Sequence, residues 1–181
     1  MKKTILVLAL ALTTGAVFAQ KKITTSATIN FDATTETDDL PKAENKTAVA
    51  SLDTKKGTVA FEAIIKNFSF SNPMMQEHFN GEKWMNSDKY ATAVFKGSIT
   101  NLDAVNFDKD GSYKANLEGD LTMHGETKPV KTTATITIKE KAINATASFN
   151  VKLGDYKVNG GAIAAGKVAK EPKISVLADF K

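Results

Sequence analysis

The chain contains no cysteine and no arginine. Without cysteine there is no disulfide framework, no thiolate metal site, no cysteine nucleophile and no lipidated cysteine. Its 24 basic residues are all lysine. The planar fork that grips phosphate and guanine is therefore missing, and no nucleic-acid partner is expected. Histidine occurs twice, as His78 and His124, with no HxH or HExxH spacing to suggest a metal site. Gly-x-Ser-x-Gly, a Walker loop and a dinucleotide glycine fingerprint are also absent. The carboxylate pair Asp108/Asp110 falls in a polar turn. The sequence thus assigns no catalytic residue, no metal and no cofactor.

Long apolar runs are lacking too. The longest, Ile5 to Leu12, is far short of the roughly twenty residues that cross a bilayer core, so no transmembrane span is expected. That run follows Lys2 and Lys3 and precedes Val17-Phe18-Ala19. Positive start, apolar centre and small residues form the pattern of a secretory signal peptide over residues 1–19, cleaved after Ala19. The mature chain would then be 181 − 19 = 162 residues, one domain over 20–181. It would carry 22 lysines against 20 acids and be exported, to the periplasm or beyond. With 42% apolar residues, it can support a packed core.

What is present is period-two alternation. Tyr113, Ala115, Leu117, Gly119, Leu121 and Met123 share one face of a strand, with Lys114, Asn116, Glu118, Asp120 and Thr122 on the other. Val130 to Ile138, Ile143 to Val151 and Ile174 to Phe180 alternate in the same way. So do Ala27 to Phe31, Val59 to Ile65 and Ala93 to Ile99, and a weaker Thr47 to Leu52 completes eight strands. Short polar or glycine-bearing links, among them Asp53 to Gly57, Asp108 to Gly111, His124-Gly125 and Glu140 to Ala142, favour an antiparallel meander. The fold class is all-β, an eight-stranded antiparallel barrel, which leaves no open sheet edge.

Two barrels share this alternation: one with apolar rows inward, and an outer-membrane type with apolar rows toward lipid. The lysine, threonine and asparagine rows and the scattered aromatics favour the first. Its inward rows then hold Phe61, Ile65, Phe95, Tyr113, Ala115, Leu117, Gly119, Leu121, Ile136, Phe149 and Val176. Those rows also carry many alanines and glycines, which leave volume that a solid core would fill. The reading is a lumen for an apolar guest, against the alternative of a barrel filled by its own side chains. Between the strands, Asn72-Pro73 signals a helix start. Met75 and Phe79 share a helical face, and Trp84 and Met85 follow, a short helix and loop near the barrel. Asn45-Lys-Thr47, Asn67-Phe-Ser69 and Asn144-Ala-Thr146 match the glycosylation acceptor pattern and carry little weight.

Met75-Gln-Glu-His-Phe-Asn80, Trp84-Met-Asn-Ser-Asp-Lys-Tyr90, Phe95-Lys-Gly97, Glu118 to Gly125 with Thr127-Lys-Pro-Val130, and Ala169 to Ile174 resemble the YceI-like family of exported lipid- or polyisoprenoid-binding proteins. One departure is Ala91, where that family usually has proline after the tyrosine. The resemblance implies a lipocalin-like barrel with a helix and loop cover, holding a long amphiphile such as a polyisoprenoid, an isoprenoid quinone or a fatty-acid derivative. It places Met75, His78, Phe79, Trp84, Met85 and Tyr90 at the end where ligand enters or is covered. The protein is read as non-enzymatic, with the lipid as its partner and a homodimer compatible with the sequence. Competing readings are a small hydrolase or isomerase using His78 on a lumen-bound lipid, and a filled barrel acting through protein contacts.

Overall fold

The computed structural model describes residues 21–180; the proposed signal peptide lies outside the described residues. The strands are β1 (Lys21–Asp32), β2 (Lys42–Asp53), β3 (Thr58–Ile64), β4 (Ser69–Phe70), β5 (Thr92–Ile99), β6 (Gly111–Met123), β7 (Glu126–Lys139), β8 (Ala142–Asn150) and β9 (Lys173–Phe180). Every pairing is antiparallel. The order β1-β9-β8-β7-β6-β5-β3-β2 closes through β1 and β2 into an eight-stranded barrel, and the two-residue β4 adds only to the start of β2. The helices are α1 (Pro73–Asn80) and α2 (Gly161–Ala164).

The apolar rows point into the barrel. Ala27, Ala48, Ala50, Leu52, Ile136, Ile138, Ala178 and Phe180 are buried, while Lys114, Thr133, Thr135 and Thr137 face outward and are exposed. β1 and β2 extend well beyond their alternating cores; register shifts between Thr24 and Ala27 and between Ala27 and Ile29 interrupt the period, the second opposite residues 45–48 of β2. Asn45 is fully buried at that irregularity. Its Nδ2 donates to the Ile64 carbonyl at 3.0 Å, and its Oδ1 accepts from Thr47 N at 2.9 Å and Thr47 Oγ1 at 3.0 Å. Thus Asn45 is a satisfied core amide, which shields its acceptor motif from any modifying enzyme.

The two ends of the barrel differ. One, the turn end, carries the short links 54–57, 100–110 and 140–141; the other, the loop end, carries 33–41, 65–91, 124–125 and 151–172. The β6–β7 hairpin turns through His124 (φ 53°) and Gly125 (φ 80°), the left-handed pair that a two-residue turn needs to match strand twist. The Tyr90 ring lies against this turn, in edge contact with His124 at 4.6 Å between centroids.

Candidate ligand cavity

Inside the barrel, reaching down from its loop end, lies an apolar cavity of about 140 Å³, roughly ten times what one water molecule needs. Leu52, Ile99, Leu117 and Phe180 form its floor, and Val59, Phe61, Ala93, Phe95, Leu121, Val130, Ala147, Phe149, Ile174 and Val176 form its walls. Thr132 and Thr146 are the polar residues on the lining. No described residue on the lining is titratable.

The roof comes from segments without strand periodicity. Asn72 caps α1, its Oδ1 accepting from Met74 N at 2.9 Å, and Pro73 takes the first turn. The helix drops Phe79 into a cluster with Phe70 (5.0 Å), Phe31 (5.8 Å) and Phe68 (5.8 Å). Gln76 clamps the helix to the strand below it. Its Nε2 donates to the Phe68 carbonyl at 2.6 Å, and its Oε1 accepts from Phe70 N at 3.0 Å. Met85 is buried beneath, and Trp84 lies so close to Gly160 that a Cβ there would sit 2.6 Å from Trp84 Cε2. The other half of the roof is Val151, Leu153, Val158 and Pro172.

Of the lumen residues expected from sequence, Phe61, Ile65, Phe95, Leu117, Leu121, Ile136, Phe149 and Val176 border the cavity. Tyr113, Ala115 and Gly119 do not. Tyr113 lies at the turn end, where its hydroxyl donates to the Lys109 carbonyl at 2.9 Å. Ala115, opposite Ala134, is fully buried, and Ile138, Ile143 and Val105 are buried toward that end as well. Gly119 is covered by the Phe95 ring. Alternation tells which face a side chain takes and not how far along the barrel it sits, so it cannot separate floor from lumen.

Of the cover residues, Phe79, Trp84 and Met85 border the cavity, whereas Met75, His78 and Tyr90 do not. Met75 lies one turn farther out on the face of Phe79, and His78 is exposed. Tyr90 packs on the hairpin turn instead. Gln76, Phe68, Leu153, Val158 and Pro172 were not marked by the sequence, since irregular segments show no period to follow.

A comparison with protein-family models matches the YceI-like domain over residues 13–180. The chain belongs to the YceI-like family. Among solved structures it is similar to a polyisoprenoid binding domain from Saccharophagus degradans implicated in plant cell wall breakdown. That match has a TM-score of 0.74 at 10% identity and covers 90% of this chain and 98% of that one. BcnA of Burkholderia cenocepacia matches with a TM-score of 0.71 at 17% identity, covering 86% and 96%. The Campylobacter jejuni YceI protein matches with 0.53 at 18% identity, covering 75% and 81%. No curated protein sequence matches the chain. At these identities the likenesses carry the barrel, and this YceI-like cavity is described by its own residues.

Proposed function

We propose that the barrel holds one long-chain amphiphilic lipid, a polyisoprenoid, isoprenoid quinone or fatty-acid derivative, and carries or stores it without chemical change. The observation that supports this most directly is the cavity itself. It is bounded by apolar side chains on every wall, and its two hydroxyl-bearing members lie on neighbouring strands. Unfilled apolar space inside a close-packed protein is costly unless a guest occupies it. Each buried methylene contributes about 0.8 kcal/mol, so ten give roughly 8 kcal/mol before the cost of association. The polyisoprenoid-binding fold neighbour agrees with this ligand class. Read with the signal peptide of residues 1–19, the site of action is the cell envelope, periplasmic or secreted.

A lumen hydrolase or isomerase would need an acid or base beside its substrate. His78 is exposed on α1 and does not border the cavity, which weighs against that reading. Organic extraction of the purified protein followed by mass spectrometry is the test. A stoichiometric lipid is the expected result. Recovery of none, together with failure of added isoprenoid quinones and fatty amides to bind, would overturn the proposal.

A further inference from the structure

The wall of the barrel is incomplete on one side. β7 pairs with β6 along its full length, from Glu126 to Ile138. Its ladder with β8 runs only from Lys139↔Ala142 to Ala134↔Ala147. Beyond that point β8 continues against β9 to Asn150, while residues 126–133 of β7 have no β8 partner. Thr132 Oγ1 donates to the Ser148 carbonyl at 3.1 Å, where the next ladder bond would otherwise fall. Pro129 stands on this free edge. Counting from the two-residue turn, Met123↔Glu126 is a hydrogen-bonded pair and Asp120↔Pro129 a non-bonded one. Pro129 therefore lacks its N–H on the side facing β8, where pairing is interrupted.

A single strap covers this seam, the 3-10 turn Leu153–Tyr156 and the residues after it. Two polar links hold it to β7 and its hairpin: His124 Nδ1 donates to the Tyr156 carbonyl at 2.8 Å, and Lys157 pairs with Glu126. Other exits are better closed. The turn end is packed by Ala115, Ile138 and Ile143, and α1 is anchored by its phenylalanine cluster and by Gln76. Thr132, the polar side chain of the lining on the inner row of β7, lies where the two strands part, whereas Thr146 is exposed and still paired with Thr135.

The inner row of β7 ends in charge. Val130 and Thr132 border the cavity, and Lys128 is next on the same row, half-buried and opposite the cavity residue Leu121. Glu126, one step farther, is taken by Lys157. Among the described residues no carboxylate lies within ion-pair distance of the Lys128 ammonium.

We infer that the bound lipid leaves the barrel sideways through the β7–β8 seam, and that Lys128 receives an anionic head group, a carboxylate or a phosphate, at that exit. This rests on the barrel being a lipid carrier and names the class of lipid. A charge-assisted contact with an anion in a partly dry site is among the stronger polar interactions, while an uncharged alcohol head gains little from an ammonium.

The test uses the mature protein and two matched pairs of probes: hexadecanoic acid with hexadecanol, and geranylgeranyl phosphate with geranylgeraniol. Lys128→Met keeps the apolar stem and removes the charge. It should weaken the anionic probes about tenfold to a hundredfold, leave the alcohols unchanged, and differ from Lys114→Met on the outer face, which should alter none. Loss confined to one anion assigns the head group to that class. Equal loss for acids and alcohols, or no loss for either anion, overturns the inference while leaving the carrier reading intact. Failure of both anionic probes to bind the unmutated protein overturns the inference, and the carrier reading is then decided by the organic extraction. A staple made by Thr133→Cys with Ser148→Cys, clean because the chain has no cysteine, tests the exit. Oxidised, it should slow uptake at least about tenfold, with full recovery on reduction; an unchanged rate excludes the seam, since a ladder bond at that register would close it.

Discussion

Gly97 and Gly119 face each other directly across the β5–β6 ladder, and one ring, that of Phe95, covers both. A Cβ at 119 would lie 2.5 Å from Gly97 Cα and 2.8 Å from Phe95 Cζ. Such an approach leaves no room for any side chain on this stretch of wall. An aromatic side chain over facing glycines restores the apolar cover that the glycines lack. The pair is thus a feature of the wall and contributes no lumen volume.

Gly119→Ala should therefore destabilise the barrel by about 1–3 kcal/mol through overpacking, read from urea unfolding. As an inward glycine, Gly119 reads from sequence as leaving lumen volume, but the close backbone approach means that a larger residue there unfolds the wall rather than filling a lumen. Ala147→Phe is the better plug. Ala147 borders the cavity, so the variant should stay folded and lose lipid binding. Retained binding at wild-type affinity would count against the cavity as the site.

Removing the roof anchor should be costly. Phe79 touches three other phenylalanine rings, and Phe79→Ala is expected to lose about 3–5 kcal/mol, the range for a buried aromatic replaced by alanine. Gln76→Ala leaves Phe70 N and the Phe68 carbonyl without their partner, at about 1–3 kcal/mol. Hydrogen exchange should locate the loss in α1 for Gln76→Ala, with the strands still protected. Uniform loss of protection would mean that the clamp holds the whole barrel.

The strand rows, the antiparallel order and the start of α1 were legible because each follows a local rule: alternation, short turns, Asn72 before Pro73. Ile65 marks where the rule fails. It continues the row of Phe61 and Ala63, yet the chain has already left β3 for a 3-10 turn there. Height along the barrel was not legible, so Tyr113 and Ala115 could not be told from Phe95 and Phe149. Of the roof, Phe79, Trp84 and Met85 were legible, but the half made by Leu153, Val158 and Pro172 was not, because long-range packing positions it. The same holds for Tyr90, whose ring is fixed by a hairpin turn more than thirty residues away.

Alkaline stability should report on the strap. Tyr156 is 3% exposed, and burial, with the nearby Asp155 charge, pushes its phenol up to about 12 from 10.0. A raised pKa means that the contribution is whole below pH 10 and is lost as pH climbs toward 12. The loss is about 2–3 kcal/mol for two pH units. Tyr156→Phe should flatten that limb without changing neutral stability greatly. On the acid side the signs reverse. The Thr34 hydroxyl holds Asp32 below its ordinary value, and Lys157 does the same for Glu126, so their contributions are present above about pH 4.5 and fade as the carboxylates protonate. An alkaline limb of equal size in Tyr156→Phe would remove the phenol as its cause.

Trp84 offers the most direct view of occupancy. It is the one tryptophan of the chain, it borders the cavity, and it rests on Gly160 where the two halves of the roof meet. A lipid chain entering the cavity replaces any water beside the indole with methylenes, and an indole in apolar surroundings emits at shorter wavelength. Titration with a long-chain alcohol or acid should therefore shift the emission to the blue and saturate at one equivalent. An isoprenoid quinone should quench it through ring contact or energy transfer. Gly160→Ala, whose Cβ would press on the indole, should alter the emission of the empty protein before any ligand is added. If mass spectrometry shows a lipid bound while the emission of Trp84 stays fixed throughout the titration, the lipid lies somewhere other than this cavity.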